Sequence, residues 1–223
     1  MMTASDNGSI DYKFEILRKG IHLCSLSIPI AYYYMTKELA LSILVPLLVF
    51  SLFLEFARHY IKPMGRYFDL LFGFLLREHE KDSSKKTLSG ATYVFISAVI
   101  TILIFPKVIV VLAFSVLIIG DIAAALIGRR FGKHKFLAKS LEGTLAFFVF
   151  SSFLVLLTPK VEYLFIEYII GFAAVAVGAI AENIAYGWAD DNLTIPLSVG
   201  AVMWILYSLL LPNLPMVLSG VPN

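Results

Sequence analysis

Long apolar runs, bounded by charge, proline or glycine, constrain this chain more than any other feature of its sequence. Each run is close to the roughly 20 residues that a helix needs to cross a hydrocarbon core of about 30 Å. The runs lack the period-2 alternation of membrane β-strands, so helices are expected. The seven runs lie near residues 16 to 35, 39 to 57, 90 to 105, 107 to 128, 143 to 158, 162 to 185 and 194 to 211. The sequence therefore predicts an all-α, polytopic transmembrane bundle of about seven spanning helices, forming a single domain over residues 1–223.

Composition supports a membrane protein and excludes several other classes. Charged residues make up 15% of the chain, whereas soluble domains usually carry about 25%. The net charge of +2 is too small to indicate a nucleic-acid partner. Cys24 is the one cysteine in the sequence, so no internal disulfide and no cysteine-rich metal site are expected. The first dozen residues are polar and lack the pattern of a signal peptide, so we expect no removable one.

The distribution of lysine and arginine predicts an orientation. Fifteen of the eighteen basic residues fall in the N-terminal segment and in two connections, near 58–90 and 129–142. The alternate connections hold only Lys37, Lys107 and Lys160. Short cytoplasmic loops are enriched in Lys and Arg, so we expect a cytoplasmic N-terminus and a further cytoplasmic connection near 186–193. A short stretch at 64 to 76 is expected to be an interfacial helix.

Asp121 is the acidic residue that most needs an explanation. It lies about eight residues, or about 12 Å of helix rise, inside the fourth run from Arg129. A carboxylate at that depth costs about 2.5 to 3.5 kcal/mol on insertion scales, so something must compensate it. Ala124, Ala125 and Gly128 share its helical face, where another helix or a ligand can approach closely.

A basic connection follows this helix and indicates a site for a polyphosphate. Glycines free its backbone, and the next helix begins directly after it. The side chains and small residues concerned are Gly128, Arg129, Arg130, Gly132, Lys133, Lys139, Ser140, Gly143 and Thr144. The pattern is not a Walker P-loop, because the spacing and the Ser or Thr after the lysine are missing. The alternative is that these basic residues only hold the loop in the cytoplasm.

A second acidic group lies at the same predicted membrane face. Glu182, beside Asn183, is still inside an apolar run, and Asp191 with Asn192 follows shortly afterwards. Carboxylates and amides are the hard-oxygen ligands that Mg²⁺ prefers. A solvated acidic turn would explain Asp191 but explains Glu182 poorly.

The order of these motifs resembles the membrane family of dolichol kinase, phytol kinase and CTP-dependent diacylglycerol kinase, which is related to the phosphatidate cytidylyltransferases. The resemblance covers nearly the whole chain. Its core motifs are Asp121, Gly128, Gly132, Lys139-Ser140, Glu142-Gly143-Thr144, Glu182 and Asp191-Asn192-Leu193-Thr194-Ile195-Pro196. Its N-terminal landmarks are Arg18, Lys19 and His22, with Lys86 and Ser89 before the third run.

The resemblance implies transfer from CTP, with Mg²⁺, to a lipid alcohol at the cytoplasmic face. Polyprenols, phytol-like alcohols and diacylglycerol are the candidate alcohols, and ATP is the alternative nucleotide. We predict Asp121, Glu142 and Lys139 as catalytic residues, and Asp121, Glu142, Glu182 and Asp191 as metal ligands. The basic connection would bind the nucleotide, and a homo-oligomer is left open. Arg18, Lys19, His22, Lys86, Ser89 and Asn192 are further candidates for the site.

Two other functions are open at this stage. The same site could make CDP-diacylglycerol from phosphatidate, although the sequence ENIAYGWADDN departs from the Asp-Arg-x-Asp pattern of the cytidylyltransferases. A transporter is the lesser alternative, because transporters place ionisable groups near the bilayer midplane. In this sequence the ionisable groups cluster toward one end of the apolar runs, at the predicted cytoplasmic face.

Overall fold

The computed structural model describes residues 12–61, 63, 65–67, 70, 73, 87–185 and 190–222. The helices in these ranges are α1 (Tyr12–Cys24), α2 (Ser27–Tyr34), α3 (Lys37–Tyr60), α4 (Gly90–Ile104), α5 (Lys107–Phe131), α6 (Leu141–Leu157), α7 (Phe165–Ile184) and α8 (Asp191–Leu210). The predicted helical class is confirmed. The interfacial helix predicted at 64 to 76 lies mostly outside the described residues, as do Lys86 and residues 186–189 of one predicted connection.

Four of the described helices, α3, α5, α7 and α8, are long and apolar enough to cross a membrane. Helices α4 and α6 are apolar but shorter. The described residues thus contain four candidate membrane spans, while the number of seven spans and the cytoplasmic N-terminus stay predictions.

The first apolar run forms two helices, where the sequence predicted one from 16 to 35. Helix α1 ends at Cys24, and the amides of Ser25 and Leu26 bond to carbonyls three residues earlier. Pro29 explains the break, because it has no N–H to donate and its ring would clash with the carbonyl of Ser25. In the first turn of α2 the same proline is tolerated.

Helix α5 is the centre of the bundle. Most of its residues from Lys107 to Ala124 are buried, as expected for a helix that is apolar on all sides. It packs against α6, α8, α2 and α1. Helix α6 returns antiparallel to α5, and at Gly120 an added Cβ would lie within 3 Å of Phe147 and Ser151. The two helices therefore approach closely enough to fix the geometry around Asp121, one residue further along.

A small β-hairpin joins α5 to α6, and it is the one departure from the predicted all-α class among the described residues. Strands β1 (Lys135–Phe136) and β2 (Lys139–Ser140) pair antiparallel. We call this side of the bundle the hairpin end. It also holds the last turn of α7 and the first turn of α8. The opposite side, where residues 158–164 connect α6 to α7, is called the loop end.

Candidate functional site

Asp121 lies at the hairpin end of α5, with 3% of its surface exposed. Its Oδ2 atom accepts a hydrogen bond from the Nζ atom of Lys19, which comes from α1 and is equally buried. The Nε2 atom of His22, one turn further along α1, lies 3.6 Å from the same oxygen. The compensation that a buried carboxylate requires is thus supplied by α1, whose outward-facing residues Phe14 and Ile21 are apolar and exposed.

A second ion pair lies nearby and joins the hairpin to α7 and α8. Lys139 of β2 donates to Oε1 of Glu182, and its Nζ atom lies 3.9 Å from Oδ2 of Asp191. Burial lowers the pKa of Lys139, but the carboxylates of Glu182 and Asp191, and more weakly Asp121, outweigh that effect and raise it above its usual value. Lys139 is therefore held as an ammonium ion. Because Asp121 contributes to the shift, the two ion pairs belong to one charged cluster.

We call Lys19, Asp121, Lys139, Glu182 and Asp191 the charged cluster. Its members come from α1, α5, β2, α7 and α8, so residues far apart in the sequence meet at one end of an apolar bundle. All five were predicted from the sequence as site residues, and the structure brings them together. Three carboxylates and two ammonium groups leave the cluster with a net charge of about −1 when all are ionised.

Asn183 fixes the position of Lys139, a role that the sequence prediction did not give it. It is fully buried, and its Oδ1 atom accepts hydrogen bonds from the backbone of Ala138 at 2.9 Å and of Lys139 at 3.1 Å. Its Nδ2 atom donates to Oγ1 of Thr144 at 2.7 Å. Leu137, at the hairpin turn, has φ of 50°, a conformation that non-glycine residues keep only where their surroundings determine it. The sequence signal that could have identified this role is an amide side chain inside an apolar run, directly after Glu182.

The glycines of the basic connection have a packing role in the structure. An added Cβ at Gly132 would lie 2.2 Å from the carbonyl oxygen of Gly128, and one at Gly143 would lie 3.0 Å from that of Ala124. The small face of α5 is thus covered by the start of α6, as the spacing of Ala124 and Gly128 predicted. Ser140 caps α6 by accepting from the amide of Gly143. Any binding of nucleotide by these residues stays a prediction.

A third set of charges lies beside Lys19. Glu15 of α1 is buried and pairs with Arg18 at 3.2 Å and with Arg129 of α5 at 3.5 Å. Buried nitrogen atoms of both arginines, Nε of Arg18 and Nη1 of Arg129, make no hydrogen bond, although the latter is the atom that lies 3.5 Å from Glu15. These two predicted site residues therefore hold donor groups that an anion could use. Glu15 itself was not selected from the sequence.

Several predicted site residues lie apart from the charged cluster. Glu142 accepts from the backbone and the Nδ1 atom of His134, the latter at 2.7 Å, rather than bonding to the cluster. Arg130 and Lys133 are exposed. The amide of Asn192 donates to Asp190, at the cap of α8.

Ser89 belongs to a different buried cluster, between α3 and α4. Its backbone N–H donates to Glu55 at 2.9 Å, and Thr92 donates to the same oxygen. Glu55 also pairs with Arg58 at 3.3 Å. This cluster fixes the start of α4 against α3. Glu55, Arg58 and Thr92 were not predicted from the sequence as site residues.

The carboxylates of the charged cluster have the chemistry of Mg²⁺ ligands, but they do not form a metal-binding set in this arrangement. Among the described residues, no three acidic, histidine or cysteine side chains are close enough to share one ion. Instead, the ammonium group of Lys19 bonds to the carboxylate of Asp121, and that of Lys139 bonds to the carboxylate of Glu182. Of the four predicted metal ligands, Glu142 does not bond to the other three or to their lysines, because its carboxylate bonds to His134.

Comparison with known proteins gives two informative similarities. No family model matches the sequence, and no solved structure matches it. An uncharacterized protein of Rickettsia prowazekii (strain Madrid E) is 28% identical over 193 residues, covering 84% of this chain and 92% of that protein. The phytol kinase of Synechocystis sp. (strain PCC 6803) is 35% identical over 98 residues, covering 38% of this chain and 39% of the enzyme. The chain is thus similar, over part of its length, to a kinase of a lipid alcohol.

Proposed function

We propose that this protein is a lipid-alcohol kinase, using CTP or another nucleoside triphosphate, that acts at the cytoplasmic face of a membrane. The observation that carries the proposal is the charged cluster, buried at one end of an apolar bundle. Partial similarity to a phytol kinase supports the same class of reaction. The substrate would be a polyprenol, a phytol-like alcohol or diacylglycerol, whose hydroxyl sits near headgroup depth while its tail stays in hydrocarbon.

In the proposed reaction, the oxygen of the lipid hydroxyl forms a bond to the terminal phosphorus of the nucleotide. The bond from that phosphorus to the diphosphate breaks, and a carboxylate of the cluster takes the hydroxyl proton. Such transfers depend mostly on positioning and on neutralising phosphate charge. Lys19 and Lys139 can supply that charge, as can Arg18 and Arg129, each of which has one buried nitrogen atom that makes no hydrogen bond. A divalent cation, Mg²⁺ by preference, would accompany the triphosphate.

Label transfer tests the proposal directly. Purified protein is incubated with a panel of lipid alcohols and with either CTP or ATP labelled at the terminal phosphate, with Mg²⁺ or EDTA. We expect label in the lipid, and none in the presence of EDTA. A parallel incubation contains phosphatidate and CTP labelled in the cytidine. If only this second mixture gives labelled lipid, the enzyme is a cytidylyltransferase. If no lipid is labelled by either nucleotide, the kinase proposal is wrong.

The proposed cytoplasmic face is tested by labelling introduced cysteines in a Cys24→Ser background. A cysteine at position 135, in the hairpin, should react with an impermeant thiol reagent only when the reagent reaches the cytoplasm. A cysteine at position 163, in the loop between α6 and α7, should react only from outside. Both positions are exposed. Reaction of both from the same side would reject the orientation.

A further inference from the structure

Helix α1 is amphipathic in the opposite sense to a surface helix of a soluble protein, because its exposed face is apolar and its charged face is turned toward the bundle. The exposed apolar residues, which we call the outer face of α1, are Phe14, Ile16, Leu17, Ile21 and Leu23. The residues turned toward the bundle are Glu15, Arg18, Lys19 and His22, at the spacing of one helical face. Such an arrangement favours hydrocarbon, and not water, on the outer face.

Helix α1 is too short to span a membrane, and it packs near the end of a candidate span. Its 13 residues rise about 20 Å, less than the roughly 30 Å of a hydrocarbon core. Its charged face contacts the last part of α5, at Asp121 and at Arg129. Arginine side chains at the ends of membrane helices reach the level of the lipid headgroups. The contact between α1 and the end of α5 therefore suits a ligand that belongs to the bilayer.

One carboxylate in this contact serves two guanidinium groups. Glu15 accepts a hydrogen bond from Arg18 at 3.2 Å and lies 3.5 Å from Nη1 of Arg129. That Nη1 atom and Nε of Arg18 are buried and make no hydrogen bond. With Glu15 ionised the three groups carry a net charge of about +1, since arginine does not lose its proton in proteins. Buried donors without acceptors are costly, so the contact lacks one anion that could accept from them.

We infer that Arg18 and Arg129 bind the phosphate group of an anionic membrane phospholipid, whose acyl chains lie against the outer face of α1. A phosphodiester headgroup carries one negative charge, which matches the net charge of the three groups. Guanidinium groups are suited to phosphate oxygens because they donate two parallel hydrogen bonds in one plane. The inference goes beyond the proposed function, because it concerns a resident lipid and neither the nucleotide nor the lipid alcohol.

A lipid in this position would hold α1 against α5 and so support the charged cluster. Among the described elements, α5 is the main neighbour of α1. Lys19 directly follows Arg18 and donates to Asp121. The bound phosphate would thus stabilise the helix that supplies the counter-ion of Asp121, without bonding to Asp121 itself.

Native mass spectrometry of the full-length protein in detergent tests the inference in the absence of nucleotide. Delipidated protein is titrated with phosphatidylglycerol, or with phosphatidylcholine of the same acyl chains, which has no net charge. We expect phosphatidylglycerol to bind at least about tenfold more tightly, the effect of one charge-assisted contact. Equal affinities for the two lipids would overturn the inference.

Two competitors identify the source of the phosphate. Inorganic phosphate and CTP are each added in excess to the complex with phosphatidylglycerol, and we expect neither to displace the lipid. Displacement by inorganic phosphate would show a site for a free anion. Displacement by CTP would assign the two arginines to the nucleotide. Either displacement would reject the lipid site.

Substitution of the arginines gives the second measurement. Arg18→Met and Arg129→Met should each weaken binding of phosphatidylglycerol about tenfold, because each removes one guanidinium contact. Arg66→Met is the matched control, since Arg66 is an exposed arginine of the predicted cytoplasmic connection near 58–90. It should change the affinity by less than about twofold. Unchanged affinity in both Arg18→Met and Arg129→Met would reject the inference.

Glu15→Gln separates a binding role of the arginines from a purely structural one. It removes the carboxylate that competes with the lipid for both guanidinium groups, so binding of phosphatidylglycerol should become tighter. Weaker or unchanged binding would argue against the inference. If Arg18→Met does not fold, Arg18→Lys keeps the charge beside Glu15 but lacks the planar fork, and it should weaken binding about threefold.

The lipid site and the proposed kinase fail independently. Preferential binding of phosphatidylglycerol through Arg18 and Arg129, without labelling of any lipid alcohol, would reject the kinase and keep the lipid site. Labelled lipid alcohol, with no preference for phosphatidylglycerol, would do the reverse.

Discussion

The two ends of α7 hold their neighbouring loops by the same device. At the loop end, Glu167 accepts hydrogen bonds from three backbone N–H groups of the connection to α6, at 2.8 to 3.0 Å. At the hairpin end, Asn183 accepts from two N–H groups of the hairpin. Each loop contains a non-glycine residue in the left-handed region, Tyr163 and Leu137 respectively. A buried acceptor from α7 therefore stabilises an unfavourable turn at both ends.

The two ends differ in what satisfies their charges. The carboxylate of Glu167 accepts hydrogen bonds from backbone N–H groups and, at 2.9 Å, from the hydroxyl of Tyr207. Lys160 beside it donates to backbone carbonyls. Burial there lowers the pKa of Lys160 to about 8, although Glu167 opposes the shift. Lys139 at the hairpin end faces carboxylates, and its pKa is raised. The charges at the loop end are thus satisfied mainly by the backbone, whereas those at the hairpin end are satisfied by one another.

The largest expected effect is that of Asp121→Asn on turnover, at the hairpin end. The variant leaves Lys19 without its carboxylate and removes one candidate proton acceptor, so the rate of lipid phosphorylation should fall by roughly 10³-fold. Because the buried ammonium of Lys19 then lacks its partner, the amount of folded protein is measured as well, and the rate is expressed per folded molecule. Ser115→Ala on the same helix is the control, since Ser115 bonds only within α5 in the contacts described. Near-normal turnover of Asp121→Asn would remove the charged cluster from the active site.

Lys139→Ala should lower turnover by roughly 10²-fold, because a charged contact to a transferring phosphate is worth a few kcal/mol. Lys135→Ala is its matched control, since Lys135 lies in the same hairpin but is exposed. Both variants keep most of the basic residues that orient the protein. Initial rates at saturating nucleotide and lipid are compared. Equal loss in the two variants would mean that the hairpin attracts nucleotide by charge alone, without a specific role for Lys139.

The sequence predicted the helices well and the partners of the charges poorly. Apolar periodicity locates a helix because it depends on neighbouring residues, and the seven runs correspond to helices of the structure, with one break at Pro29. Asp121 and Glu182 could be selected because a charge inside an apolar run needs a reason, and Lys139 because it lies in the glycine-containing basic connection. The pairing of Asp121 with Lys19 could not be derived, since it joins residues 102 positions apart.

Glu142 shows the limit of reading a site from neighbouring motifs. It lies three residues after Lys139, so the sequence places the two together. In the structure Glu142 lies at the first turn of α6 and bonds to His134, while Lys139 points to Glu182. The direction of a side chain at a strand-to-helix junction depends on tertiary packing, which the sequence pattern does not contain. The role of Asn183 was missed for the converse reason, because the groups that it binds are backbone N–H groups of a distant hairpin.

A smaller effect is expected from Asn183→Leu, which removes the acceptor that holds the hairpin turn. Lys139 would lose its fixed position, so KM for the nucleotide should rise about tenfold, in the range found when a supporting group around a site is lost. The kcat value should change less, because the ammonium group is still present. Thr144→Val, which removes the acceptor of the Asn183 amide group and a hydroxyl that donates to the Ser140 carbonyl, should have a weaker effect on KM. A fall in thermal stability with unchanged KM would show that Asn183 is structural only.

The smallest effect on turnover is expected at the loop end, from Glu167→Gln. Four donors point at the two oxygens of Glu167, and a glutamine would turn its amide group toward some of them, so the free energy of unfolding should fall by about 1 to 3 kcal/mol. Tyr207→Phe removes one of those donors and should cost about 1 kcal/mol. Both variants should keep turnover within about twofold of the native rate at a temperature where they are folded, because the loss of buried contacts away from a site acts on stability. Thermal unfolding and initial rates are measured on the same preparations. A loss of turnover as large as that of Asp121→Asn, with stability unchanged, would place catalysis at both ends of α7. Charges satisfied by the backbone and charges satisfied by one another would then not differ in function.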